Sequence, residues 1–320
     1  MKEYLKPHIL AWLAPIGIPF IVEGFLLRIF TLSLIAISVA VSLNILYGYT
    51  GLGSFGHAAF FGIGAYCSAI LVTEQGIPVI ISIVLTSVLV GLIGLTISIP
   101  VLRTRGLYFS IITLAFNIVT FQIFANWRDV TGGRIGYDSI PTFAYSNKQI
   151  FILFYAGVLL QLLFTWKLVG SDIGRVMKSI RDDEKLASEV GINVLQYKIL
   201  ALVVSATLTG TAGAVFAHYN GFLSPNQFTF FESFEYYVMV TIGGSGTLLG
   251  PVIGAVLVTV APEVLRITPE ARLLIYGVVL LVVIYSFPNG IIYIIRDIKK
   301  YAQRKLNKHS QLLNRQGNQK

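Results

Sequence analysis

Apolar residues fall in long, nearly unbroken runs along this chain, not at every second position as on a half-buried strand. Runs approaching the ~20 residues that cross a bilayer lie at 8–22, 28–48, 56–73, 77–101, 106–126, 150–168, 198–218, 233–247, 249–264 and 272–288. The expected fold is an all-α polytopic membrane protein of about ten transmembrane helices, short and re-entrant segments included. A closed barrel would show short alternating strands instead. Two stretches depart from a plain lipid-facing helix. TGLGSFGHAAFFGIG (50–64) is rich in glycine, and irregular backbone at membrane depth survives only where protein or a water-lined cavity satisfies it. The runs 233–247 and 249–264 are short and joined by GGSGTLLGP, which suits a re-entrant pair. The opening MKEYLKPHILAWLAPIGIPF has a basic start like a signal peptide, but no A-x-A-like site follows and Pro15 and Pro19 interrupt it. It reads as an uncleaved first span. The expected organisation is an N-terminal span (1–27), a transmembrane unit (28–290) and a basic polar tail (291–320).

Composition agrees with that class. Charged residues make up 12% of the 320, against ~25% in soluble domains, and mean hydropathy is +0.76. The formal charge of +9 changes the picture only through its distribution. With ten spans and an inner N-terminus, 18 of the 24 Lys and Arg lie on the inner side, as the positive-inside rule requires. Both termini are then cytoplasmic, and the basic balance is a topology signal and an anionic-lipid contact, not a nucleic-acid footprint. The single cysteine, Cys67, excludes an intrachain disulfide and any multi-cysteine metal site.

The spans contain almost no ionisable groups. A charge at mid-bilayer costs at least ~2.5–3.5 kcal/mol and persists where function needs it, and the candidates here are His57, His218 and Glu235, all near expected span ends. The chain therefore carries little with which to harvest an ion gradient. Enzyme signatures are missing as well: there is no H-E-x-x-H pair and no G-x-x-x-x-G-K-[ST] phosphate loop. Gly243-Gly244-Ser245-Gly246 spells the GxSG of rhomboid-type nucleophiles, but the only later histidine is His309 in the tail, so Ser245 has no base. Asp182-Asp183 does not extend to DDxxD. No catalytic residue, metal site or cofactor of its own is expected.

Small residues recur four apart, at Gly246, Gly250 and Gly254 and at Ala206, Gly210 and Ala214, a spacing that lets helix backbones touch. The inner loop 169–197 is the most informative segment. Arg175, Lys178 and Arg181 share a helical face suited to headgroups or an acidic partner. Asp182 or Asp183 caps a short helix with Glu184 in its first turn, Gly191 supplies a left-handed stop, and Asn193 caps the next span. This helix of about two turns, with Leu186, Ala187 and Val190 on one side, is too short to stand alone. It fits either a plug for a groove on a cytosolic partner or an amphipathic loop on the membrane surface.

SLNILYGYTGLGSFGHAAFFGIGAY (42–66), VLRTRGLYFSIITLAF (101–116), TGG (131–133), GRVMKSIRDDEKLASEVGINVLQYK (174–198) and GGSGTLLGPVIGA (243–255) occur in this order. Together they resemble the LivM-type permease of high-affinity branched-chain amino-acid ABC importers, over roughly residues 28–290. Ala187-xxx-Gly191 has the spacing of the EAA-type loop that docks on an ABC ATPase, with Lys185-Leu186 where other importers show Glu-Ala. The resemblance implies docking by Arg181, Asp182, Asp183, Glu184, Leu186, Ala187, Val190 and Gly191. It further implies a second, LivH-type permease, two cytosolic ATPases of LivG and LivF type that bind the ATP, an extracytoplasmic binding protein, and a prokaryotic cell membrane. Importers of urea, short amides or other amino acids share these motifs. Asn44, Ser54, His57 and Asn117 are the polar residues expected near the translocation path, with interhelical hydrogen bonding as the plainer role for each.

Overall fold

The computed structural model describes residues 14–104 and 106–264, with isolated positions between 271 and 292. Residues 8–13 of the first expected span, most of the span expected at 272–288 and residues 293–320 of the tail lie outside the described residues. Among the described residues ten helices of six or more residues follow one another: α1 (Phe25–Thr50), α2 (His57–Thr73), α3 (Val79–Val101), α4 (Leu107–Asn126), α5 (Asn147–Gly170), α6 (Asp172–Asp182), α7 (Glu184–Glu189), α8 (Val194–Asn220), α9 (Phe230–Gly243) and α10 (Gly250–Val264). Single helical turns precede α1 at Ile18–Ile21 and follow α4 at Arg128–Thr131.

Five of these, α1, α3, α4, α5 and α8, are long and apolar enough to cross a membrane. The ten spans expected from the sequence are not reached among the described residues. α2, α9 and α10 have 17, 14 and 15 residues. At 1.5 Å per residue, α9 extends about 21 Å, short of a ~30 Å hydrocarbon core.

α1 is buried on nearly every side, among α8, α10, α5 and α9. α3 bears Ile80, Val84, Val88 and Leu92 outward and packs its inner face on α8. The small residues explain how the interior helices approach so closely. A Cβ on Gly64 of α2 would lie 2.2 Å from the Gly210 carbonyl oxygen of α8, and one on Gly213 would lie 1.9 Å from that of Phe61. Gly94 of α3 meets Ala206 of α8 in the same way. Lipid supplies no hydrophobic drive between helices, so this backbone contact is a main source of attraction.

The chain breaks twice at depth. α1 ends at Gly51, whose φ of +80° admits no side chain without strain. Residues 51–56 then run without helix along the first two turns of α4: Ser110 Oγ donates to the Gly53 carbonyl at 2.6 Å, and the Phe55 N–H donates to Thr113 Oγ1 at 3.1 Å. The irregular backbone is thus satisfied by protein, as its depth demands. α2 begins beside Ser205, eleven residues or about 16 Å into α8. The Ala58 N–H donates to Ser233 Oγ at 2.9 Å, so α9 starts at the same level. Glu232 and Glu235 lie close to Ser233 in sequence; α9 begins at Phe230, three residues before the expected span, so Glu235 falls in its second turn and is partly buried. On the opposite side of the bundle, Tyr137 and Leu223 exchange backbone hydrogen bonds of 2.8 and 2.9 Å, tying two loops together. His218, expected at an interface, is fully buried: its Nδ1 donates to the Pro141 carbonyl at 2.8 Å and its Nε2 meets Ser68 Oγ at 2.9 Å.

Candidate functional site

Local sequence builds the loop 169–197 almost unaided. Ser171 caps α6, its hydroxyl accepting from the Gly174 N–H. Gly174 fits because a Cβ there would lie 2.5 Å from the backbone of Leu168 and Val169. α6 buries Met177 and Ile180. Asp183, not Asp182, caps α7: its backbone is extended and Oδ1 accepts the Leu186 N–H at 2.9 Å. α7 closes with two nested bonds, the Ile192 N–H to the Ala187 carbonyl and the Gly191 N–H to the Ser188 carbonyl, both 3.1 Å. That is the Schellman arrangement, which requires a left-handed residue, and Gly191 has φ +88°. Asn193 then caps α8 through the Gln196 N–H.

The short helix does not present all three of its expected apolar residues. Ala187 is 4% exposed and faces the chain itself, whereas Leu186 and Val190 are 57% and 69% exposed. The difference follows from spacing: residues 186 and 190 are one turn apart on the outer face, and 187 is rotated about 100° inward. What fastens α7 is an ion pair of 2.6 Å between Glu184 and Lys198, the latter buried at the start of the second turn of α8. Removing Glu184 leaves the buried ammonium without this carboxylate. Glu184→Ala is therefore expected to cost about 2 kcal/mol, below the ~3–5 of a fully buried pair because the carboxylate is partly exposed. Lys198→Met, which removes the need for a partner, costs less. Thermal melts of the two variants test this, and an equal or larger loss for Lys198→Met contradicts it.

The three loop cations do not act as one surface. Arg175 pairs with Asp172. Lys178 lies over the Tyr49 ring, 5.7 Å from its centroid; burial pushes its ammonium below the ordinary lysine range, and the Arg181 charge adds to this. Arg181, expected at a docking surface, turns inward: Nη1 donates to the Gly48 carbonyl at 2.8 Å while Asp182 Oδ1 accepts from Nε and Nη2 at 3.2 and 3.0 Å. Asp182 thus aims the guanidinium, and its side chain stays mostly exposed.

The four polar residues expected near the path are all buried, and no hydrogen bond joins any two of them among the described residues. Asn44 holds the connection between α9 and α10: its Oδ1 accepts the Gly246 N–H at 2.9 Å and its Nδ2 donates to the Thr247 carbonyl at 2.8 Å. Ser54 Oγ accepts the Gly56 N–H at 3.2 Å. Ser205 Oγ donates its only proton to the Ser42 carbonyl at 2.6 Å, so at 2.7 Å His57 Nε2 must donate to it. Among the described residues, that leaves His57 Nδ1 as a lone pair with no partner, and both amide atoms of Asn117 lack one as well.

Of the glycines expected to pack helices, Gly250 and Gly254 do lie in α10, where a Cβ on Gly254 would meet the Met239 carbonyl oxygen at 1.8 Å. Gly246 does not continue that helix. It sits in the preceding loop with φ +70°, a conformation that breaks the helical register. Reading the sequence missed Ser42, Ser205, Ser233 and Lys198. Hydroxyls inside apolar spans are a faint signal for the serines, and Lys198 at a helix start looks like an ordinary interfacial lysine.

Comparison with known proteins places this geometry. The family described as "Branched-chain amino acid transport system / permease component" matches residues 25–284. The high-affinity branched-chain amino acid transport system permease protein LivM of Salmonella typhimurium is 30% identical over 303 residues, covering 86% of this chain and 71% of its own. Its Escherichia coli counterpart is 29% identical over the same shares. The permease protein LivH of Escherichia coli is 22% identical over 278 residues, 79% of this chain and 90% of its own. No solved structure is a match. With its spanning helices and a match over most of its length, this chain is a multi-pass membrane protein that belongs to the permease components of branched-chain amino acid transport systems.

Proposed function

We propose that this chain is one permease subunit of an ATP-driven importer for branched-chain or similar small amino acids, in a prokaryotic cell membrane with both termini cytoplasmic. It forms part of the translocation path beside a second, related permease. Two cytosolic ATPases bind the ATP, and an extracytoplasmic binding protein delivers the substrate. The observation that carries this reading is the capped helix α7, fastened by the Glu184–Lys198 pair and holding Leu186 and Val190 uncovered. Two apolar side chains one turn apart on a braced helix are anchors for a groove on another protein. Similarity to both LivM and LivH supports pairing of two related permeases.

Reconstitution tests the proposal. Co-expressed with the second permease and the two ATPases and reconstituted in vesicles, the complex should accumulate leucine, isoleucine or valine when ATP and the loaded binding protein are supplied. Omitting ATP should reduce uptake to background. Uptake by this chain alone, collapsing with a proton or sodium gradient, would instead make it an ion-coupled transporter. Uptake of urea or short amides in place of these amino acids would keep the machine and change its substrate.

A further inference from the structure

Three segments far apart in sequence converge on one guanidinium. The last turn of α1 leaves its carbonyls without helical partners. Leu52 and Gly51 N–H groups occupy those of Leu46 and Tyr47, and Arg181 occupies that of Gly48. The α carbon of Gly246 lies against the same group: a Cβ there would be 2.5 Å from Arg181 Nη1 and 2.8 Å from the Gly48 oxygen. Asn44, one turn before Gly48, clamps Gly246 and Thr247 through both its amide atoms. At Gly51, which ends α1, a Cβ would lie 3.1 Å from Arg181 Cγ and 3.4 Å from its Cα.

Arg181 stands two residues before the cap of α7. A push on α7 therefore reaches α1 and the α9–α10 connection through this side chain. A cation at the negative end of the α1 dipole, aimed by Asp182, is a stiff link whose loss leaves α7 itself intact. About two turns back along α1, the Ser42 carbonyl leads by way of Ser205 to His57, where α2 begins.

We propose that Arg181 is the positioning residue that transmits movement of the α7 loop to α1 and to the connection between α9 and α10, so that it couples ATP hydrolysis to transport without itself contacting an ATPase. The proposal rests on the docking of α7 set out above, and its test separates the two. The readout is the amount of substrate imported per ATP hydrolysed by the whole complex in vesicles, a ratio that mere loss of folded protein leaves unchanged. Arg181→Gln, too short to span Gly48 and Asp182 together, should lower the ratio at least tenfold while the ATPases stay bound. Arg181→Lys, one charge without the planar fork, should fall between. Gly246→Ala, which crowds the guanidinium while keeping it, should reproduce the loss. A ratio within twofold of wild type in Arg181→Gln overturns the proposal, as does loss of the ATPases from that variant, which would make Arg181 a docking residue after all. Should Arg181→Gln fail to fold, a wild-type ratio in Arg181→Lys decides against it equally. Failure of the docking reading shows separately, as ATPases that remain bound when Leu186 and Val190 are both changed to Asp.

Discussion

Gly213→Leu should leave essentially no folded protein. A Cβ at this position of α8 would stand 1.9 Å from the Phe61 carbonyl oxygen and 3.1 Å from the Ala65 nitrogen. Those are backbone atoms of α2, so no rotamer change can relieve the clash and one helix must move bodily. The contact between α2 and α8 is the most extensive in the bundle, and α2 begins there at the His57–Ser205 bond. Overpacking usually costs about 1–3 kcal/mol where side chains can yield; here they cannot, and more than ~3 kcal/mol is expected. The measurement is the monodisperse fraction on size exclusion in mild detergent. Gly157→Ala is the control, since a Cβ there meets nothing within 4 Å and its yield should match wild type. Normal folding of Gly213→Leu would mean that α2 and α8 do not touch as described.

Changing Leu186 and Val190 together to Asp should abolish uptake while the permease stays folded. Both side chains are mostly exposed in this chain. Asp183, Gly191 and the Glu184–Lys198 pair, which hold α7 in place, are all untouched. On the proposed function, the exposed pair enters an apolar groove. Two buried, unpaired carboxylates there would each cost several kcal/mol, a loss of more than a thousandfold in affinity at 1.4 kcal/mol per decade. Affinity purification should then recover the permease pair without its ATPases. ATPases retained at wild-type stoichiometry would move the docking surface elsewhere. Ala187→Arg makes an instructive comparison: because Ala187 is buried within the chain, that change should unseat α7 itself and lower the melting temperature as well.

Much of the candidate site was legible because its signals are local. Asp183 is three residues from the N–H it caps, and the two closing bonds of α7 span three and five residues. Such contacts are available as soon as the chain turns, whatever surrounds them. Even so, spacing alone left Asp182 and Asp183 equivalent as caps. In the structure Asp182 pairs with Arg181, whereas Asp183 has the extended backbone of a cap and accepts the Leu186 N–H. The partners of the polar residues were not legible. Asn44 binds a loop 202 residues away, and His57 meets Ser205 across 148.

The sequence by itself determined the helical membrane class, the breaks at Gly51 and at Gly243–Gly250, the capped helix in the inner loop and the family. Each of these depends on composition, on short-range bonds or on ordered motifs. Tertiary structure alone decided which apolar helix is central and which faces lipid: α3 is at least as apolar as α1, yet α1 is mostly buried and α3 mostly not. Where every face of a helix is apolar, no periodicity records its neighbours, and the close approach of glycine backbones takes over. The inward turn of Arg181 had the same origin, for a cation on a basic loop shows no direction until the open carbonyl of Gly48 is brought beside it.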